Sequence, residues 1–432
     1  ARPTPFRVAF EVMASGQTVT LDVPVAYRYE NSLFVGEKRM ELQVVPAFAV
    51  AVDPQIAVFP QGASPVPTRA AATPTTREIR VTVTNGTKGA AQAEAALEVP
   101  AGWTVTPAAA PVKFVREDEQ VTVRFTVSPS PQAAAGHATI KARVTSGGSA
   151  FGETVQVVEY PHIQRRHVVK PAEVAVRVLD VKIAPNLTVG YVMGVGDQVP
   201  QALAQLGAKV ELLDADALAW GDLSRFDVVM TGVRAYERRD DLKANNQRLL
   251  DYAAAGGTVI VNYNKFEFNE AQFGPYPAKV GRDRVTDETA PVRVLVPEHP
   301  VFNAPNAITE AAWANWVQER GLYFLGERDA RYVDLVETED PFEFNKGPKR
   351  GALVEAKVGK GRWVYVGLGL WRQLPAGTDG AYKLMANLIS LGKAPGARAR
   401  RTRPPAAWCC STTRARRRCS ARCGPAASSR PT

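Results

Sequence analysis

Nine side chains have types and spacings that could support chemistry: Asp197, Arg234, Tyr236, Tyr263, Asn264, Lys265, Glu267, Trp371 and Arg372. They sit in four short motifs, Met193-Gly194-Val195-Gly196-Asp197, Gly232-Val233-Arg234-Ala235-Tyr236-Glu237, Asn262-Tyr263-Asn264-Lys265-Phe266-Glu267 and Leu370-Trp371-Arg372-Gln373. Each motif follows a strand-like run. Aromatic faces beside amides and charges suit a polar, sugar-like ligand, because stacking supplies apolar contact while hydrogen bonds fix orientation. The same groups would also serve as helix caps and interdomain contacts. Cys409, Cys410, Cys419 and Cys423 all lie after Ala394, so the domain that carries the nine residues holds no thiolate nucleophile. Gly194-x-Gly196 is half of a dinucleotide fingerprint and lacks the third glycine. A zinc hydrolase needs about three protein ligands and an open position for water. His137, His162, His167 and His299 are too dispersed to supply them, so no catalytic residue and no metal is expected in this chain.

The elements that must position these groups alternate in kind. Leu187 to Val192, Lys209 to Leu213, Val228 to Thr231 and Thr258 to Asn262 read as buried strands, and Gln198 to Leu206 and Leu242 to Ala254 as amphipathic helices. Such alternation predicts a doubly wound, flavodoxin-like α/β domain over 186–393 with a parallel sheet. Its ligand crevice would lie at the carboxyl ends of the strands, where the four motifs fall. Gly351 to Val358 and Arg362 to Gly367 flank Gly359-Lys360-Gly361, a hairpin-like turn, and Thr378 to Leu391 reads as the closing helix.

The preceding half is β. Ile79, Val81 and Val83 alternate with polar residues, as do Val121, Val123, Phe125 and Val127, and clusters of Pro, Gly, Asn and Ser punctuate the runs. This predicts an immunoglobulin-like sandwich over 51–160, preceded by a truncated β-sandwich unit over 1–50 and followed by a linker over 161–185. Trp103 reads as a core tryptophan in preference to a sugar platform.

The chain has 432 residues and a formal charge of +10, but ten arginines and no acid lie from Ala394 onward. Removing those ten from the 53 lysines and arginines leaves 43, equal to the 43 acids. The folded part is therefore neutral, which argues against a nucleic-acid partner. The tail 394–432 has no hydrophobic periodicity and reads as disordered, with the composition of a GC-rich frame translated out of register. No run of about 18 apolar residues occurs, so no membrane-spanning helix is expected. The start at Ala1, directly into strand-like sequence, reads as a fragment. Cysteine usage leaves the compartment open, with export or the periplasm slightly favoured.

Val99-Pro100-Ala101-Gly102-Trp103-Thr104-Val105, the Phe114 strand and Glu119 to Ser128 resemble the small β-sandwich beside bacterial glycosidase domains. Together with Tyr191-Val192-Met193-Gly194-x-Gly196-Asp197, Gly232-Val233-Arg234-Ala235-Tyr236, Tyr263-Asn264-Lys265-x-Glu267 and Gly369 to Gly377, nearly all of Phe6 to Leu391 resembles the C-terminal region of large PIG-L (LmbE-like) family deacetylases. That resemblance implies a class I glutamine amidotransferase-like, ThuA-like module without catalytic residues. It also implies an upstream deacetylase domain in cis that carries the zinc and a His-Pro-Asp-Asp motif, and a glycan or amino-sugar ligand. Here His299-Pro300 is followed by Val301-Phe302, which is not an acidic pair. A second reading is a stand-alone ThuA-like hydrolase or sugar-binding protein, the hydrolase using Asp197 or Glu267 as base.

Overall fold

Alternating apolar residues from Phe48 onward build two facing sheets in the structure, a computed structural model that describes residues 4–32, 36–61 and 76–393. One sheet holds β1 (Phe48–Asp53), β3 (Arg77–Asn85), β5 (Thr104–Thr106) and β7 (Gln120–Ser128) in the order β1-β3-β7-β5. The other runs β6 (Ala109–Phe114), β4 (Ala91–Glu98), β8 (Gly136–Ser146), β9 (Glu173–Asp180), β2 (Ile56–Gln61). Val50, Ile79, Val81, Val83, Phe125, Val127, Ile140 and Val176 fill the space between them, the inward set of a period-two pattern. Trp103 is half-buried and packs edge-on against Phe59 at 4.9 Å, as a core residue and not a platform.

The segment read as a linker, 161–185, is structured. Arg166–Pro171 pairs with Glu153–Val158 as a ribbon, and β9 is an interior strand that pairs antiparallel with β8 and parallel with β2. Buried Val174, Val176 and Val178 alternate with half-buried Glu173, Ala175 and Arg177, the alternation that marks a strand. The run Val19 to Tyr29 is broken at Val25 and shared between two hairpins, Arg7–Ala14 with Gln17–Pro24 and Ala26–Ser32 with Gly36–Glu41. The arginine-rich tail, expected to be disordered, lies outside the described residues.

The second half forms one seven-stranded sheet. Its strands are β10 (Thr188–Val192), β11 (Lys209–Leu212), β12 (Val228–Thr231), β13 (Thr258–Asn262), β14 (Tyr332–Asp334), β15 (Leu353–Val358) and β16 (Gly361–Val366), in the order β11-β10-β12-β13-β16-β15-β14. The first five are mutually parallel and the last two antiparallel. Helices cover both faces. Tyr191, Met230, Ile260 and Val364 pack on one side with α1 (Val199–Gln205) and the long closing helix Asp379–Ser390, while Val192, Val229, Val261 and Tyr365 pack on the other with Asn246–Ala254. The helix read over Leu242 to Ala254 is broken at Asn245, whose amide donates back to the carbonyl of Asp241 at 2.9 Å. Between β13 and β15 lies an excursion of short strands and 3-10 turns that the sequence reading left almost unassigned.

The sandwich and the α/β sheet share a seam. Among the described residues edge strand β2 has no strand partner on its outer side, and α1 supplies one residue there. Gln205 accepts from Val58 N through Oε1 at 2.6 Å and donates to Ile56 O through Nε2 at 3.2 Å. Arg77 bridges the same point, donating to Val58 O at 2.9 Å and Gln205 O at 2.6 Å, and burial lowers its pKa to about 10. Ile56 and Val58 join the α/β core cluster. Replacing Gln205 by Ala would strand a buried donor and acceptor, for an expected loss of about 2–4 kcal/mol. Calorimetry is expected to show a lower melting temperature, and a sandwich transition separating from the α/β transition.

A buried ion cluster lies within the α/β domain. Glu355 of β15 meets His299 Nε2 at 3.1 Å and Arg362 Nη1 at 3.2 Å, while His299 Nδ1 accepts from Val301 N and caps the short helix Pro300–Asn303. Burial raises the Glu355 carboxyl, but His299 and Arg362 outweigh it and the net pKa is lowered from 4.5. A carboxylate lowered on folding contributes stability that is present above its unfolded value and lost as pH falls through its folded value. The stability difference between wild type and Glu355→Gln, followed by denaturant unfolding, is therefore expected to shrink below about pH 4.5.

Candidate functional site

The strand order reverses between β10 and β12, which is where an open parallel sheet presents its default crevice. Here that crevice is closed. The loops after these strands approach so tightly that a Cβ on Gly194 would stand 2.0 Å from Val233 O, and Val195 N donates to the same carbonyl at 3.1 Å. Asp197 completes the closure, accepting from Tyr191 OH at 2.8 Å, Val199 N at 3.0 Å and Val233 N at 3.2 Å. The Gly-x-Gly motif thus serves a backbone contact, and Asp197 ties a helix start to a neighbouring loop. Tyr191 is fully buried, and burial, then Asp197, pushes its phenol well above its ordinary value.

The structure also assigns Tyr236 and Asn264 to the interior, contrary to their reading as ligand-facing groups. Tyr236 donates to Asn246 Oδ1 at 2.7 Å and packs edge-on against Phe268 at 5.1 Å. Asn264 accepts from Tyr236 N at 3.1 Å and donates to Asn262 O at 2.8 Å. Both side chains are buried, and the backbone just before Tyr236 turns through Arg234 in the left-handed region at φ 54°.

The remaining predicted residues do gather, further along the strand ends. Tyr263 stacks on Tyr323 at 5.8 Å with planes 7° apart and contacts Trp371 at 5.9 Å. Ion pairs flank this stack. On one side Arg234 binds Glu237 through Nε at 2.6 Å, with Lys265 at 3.7 Å from the same carboxylate. On the other, Arg372 lies over the Trp371 ring at 4.0 Å and donates to Glu319 at 2.6 Å and Gln318 at 2.9 Å. Glu237 is lowered by its hydrogen bond from Arg234, and Tyr263 is raised by burial. Glu267 Oε2 and Trp371 Nε1 are buried and meet no hydrogen-bond partner among the described residues.

Sequence reasoning missed the loop that closes this cluster. Asn315, Gln318 and Tyr323 all have φ between 53° and 73°, conformations that cost non-glycine residues energy. Gln373 holds the loop, accepting from Val317 N and donating to Val317 O, both at 2.8 Å. No periodicity marks such a segment, so only the fold places it. Among the described residues, no three His, Cys, Asp or Glu side chains gather as a metal site.

Comparison with known proteins adds a partial match. Residues 73–147 match the family described as the NPCBM-associated, NEW3 domain of alpha-galactosidase. Solved structures similar to parts of the chain include a β-galactosidase from Rahnella sp. R3 (16% identity, 46% of this chain, 30% of that one, TM-score 0.29). Another is a β-galactosidase from Bacillus circulans sp. alkalophilus (15% identity, 50% and 32% coverage, TM-score 0.30). This chain spans about a third of each galactosidase, and at these scores the likeness carries no argument. No curated protein matches.

If Asp197 acts as a tie and not a base, Asp197→Ala is expected to lower stability by about 2–4 kcal/mol, because it leaves the Tyr191 hydroxyl buried and unpaired. Denaturant unfolding measures this. An unchanged midpoint would instead favour a role in chemistry.

Proposed function

We propose that this chain is a non-catalytic accessory region of a carbohydrate-active enzyme, holding a NEW3-type sandwich and an amidotransferase-like α/β domain in fixed relation for scaffolding or glycan positioning. The observation that carries this reading is how the candidate groups are used. Asp197 and Asn264 bind backbone, Arg234 and Lys265 face Glu237, and Arg372 faces Glu319. Side chains so committed hold loops together. The NEW3 match over 73–147 supports the link to carbohydrate enzymes.

At the finer level the parent would be a PIG-L family deacetylase acting on N-acetylglucosamine-type substrates, its zinc held by a further domain in cis. The motifs quoted above support that parentage. So does the first hairpin, where Val8, Phe10 and Val12 stand opposite Val23, Leu21 and Val19 on one half-exposed apolar face. A lone two-stranded ribbon is marginal in water, and this face is the surface we assign to the cis domain.

The purified chain is expected to release no acetate from N-acetylglucosamine derivatives. Chelator-sensitive release would overturn the non-catalytic reading. Sequencing the coding frame upstream tests the parentage, which requires an in-frame His-Pro-Asp-Asp motif.

A further inference from the structure

A second aromatic pair, on another loop, is exposed. Strands Val336–Thr338 and Lys349–Arg350 pair antiparallel, and the loop 339–348 between them carries Phe342 and Phe344. Their rings are parallel within 3° at 5.4 Å. Phe342 is 39% exposed and Phe344 84%. One face of Phe344 rests on Phe342, and the other meets solvent.

Exposed aromatic side chains usually mark mobile loops, but this one is wired from beneath. Asp340, with no exposure, accepts from Thr286 N at 2.9 Å, Asp287 N at 2.8 Å and Thr286 Oγ1 at 3.2 Å, and also from Asn345 Nδ2. Asn345 donates in addition to Arg284 O at 2.9 Å. The buried Lys349 ammonium binds the carbonyls of Asn345 at 2.6 Å and Gly347 at 3.0 Å, and Gly347 N donates to Glu339 at 2.7 Å. Burial raises the Asp340 carboxyl, yet the donors around it prevail and its net pKa is lowered. Such a network holds the ring pair in place before any ligand arrives, so little ordering entropy is spent on contact.

The size and rim of the platform select its ligand. The ring face that Phe344 leaves open is much smaller than the roughly 800 Å² per partner that a stable protein interface buries. One such face matches the flat C–H face of a single pyranose ring, with Phe342 backing it from behind. The same loop carries Glu343 and Lys346, which pair at 3.2 Å and are largely exposed. These groups can accept from and donate to ring hydroxyls, and they offer no apolar extension for a protein surface.

We propose that Phe342 and Phe344 form a glycan-binding platform that stacks on the apolar face of an all-equatorial pyranoside of the glucose or N-acetylglucosamine type, with Glu343 and Lys346 at its hydroxyls. This deepens, and rests on, the carbohydrate-associated reading, and it moves ligand binding from the strand-end cluster to an exposed loop.

Calorimetric titration of chitotetraose and cellotetraose into the whole chain tests it, with Phe344→Ala, Phe344→Trp and a Tyr263→Ala, Trp371→Ala double variant. Saturable binding by wild type is expected, weakened about tenfold or more in Phe344→Ala and retained in Phe344→Trp. Because the Phe344 side chain is open to solvent, its melting temperature is expected to stay unchanged, which separates lost binding from lost folding. Equal binding by wild type and Phe344→Ala would overturn the platform while leaving a glycan-binding role intact, and loss in the double variant alone would return the site to the strand ends. Absence of binding by wild type would overturn the platform, whereas the accessory reading stands or falls on acetate release. A shift from dimer to monomer in Phe344→Ala on sedimentation would identify the patch as a protein contact and also overturn it.

Discussion

One side-chain amide joins the two halves of this molecule. Gln205, at the last turn of α1, presents an acceptor and a donor to the outer edge of β2 with the spacing a strand would offer, meeting Val58 N and Ile56 O. An open edge is a hazard for any sheet. Here it is closed by a helix of the neighbouring domain, so closure and orientation come from the same contact. Arg77 then binds both sides of the seam. Around that polar centre the packing is tight, since a Cβ on Gly377 would lie 2.4 Å from Ile56 Cδ1, and Arg177 donates to Gly377 O at 3.1 Å. Alternatives to this geometry would leave buried donors without partners.

The same economy governs the strand ends of the α/β sheet. Open parallel sheets usually leave a crevice where the strand order reverses, but here glycine backbones meet across it and a carboxylate ties the two loops. Groups that could have met a ligand instead neutralise one another in pairs around a stacked aromatic centre. Exposed ion pairs contribute little, but these are partly buried, and Arg234 and Arg372 also hydrogen-bond their carboxylate partners, so they fix the loops. Glu267 Oε2 and Trp371 Nε1 are the exceptions.

Much of the architecture was legible in the residues. Period-two alternation identified β3 and β7, and the largely apolar runs of β10, β12 and β13 identified buried parallel strands, because burial on both faces favours apolar residues at successive positions. The four motifs were placed correctly at strand ends. Their use was not legible, since what Tyr236, Tyr263 and Asn264 meet depends on partners from other elements, among them the bond from Arg234 N to Tyr263 O beside the left-handed turn at Arg234. Strand β9 was lost for a similar reason. It is separated from β8, its sheet neighbour, by a protruding ribbon, and local turn signals made the whole stretch read as a linker.

The sequence by itself determined composition, charge balance, the absence of a thiol before Ala394 and the periodicity of each strand, because these depend on residue type and near neighbours. Tertiary structure alone decided which polar groups are consumed. Gln205 and Val58 are far apart in the chain, as are Arg372 and Glu319, and no local pattern encodes that they meet. Whether a carboxylate is a base, a cap or a tie depends on donors brought from other elements, and whether a phenylalanine is core or platform depends on what covers it. Phe342 and Phe344 carry no signal that separates them from buried phenylalanines. The network centred on Asp340, which ties their loop to Thr286 and Asp287, is built from residues far apart in the chain.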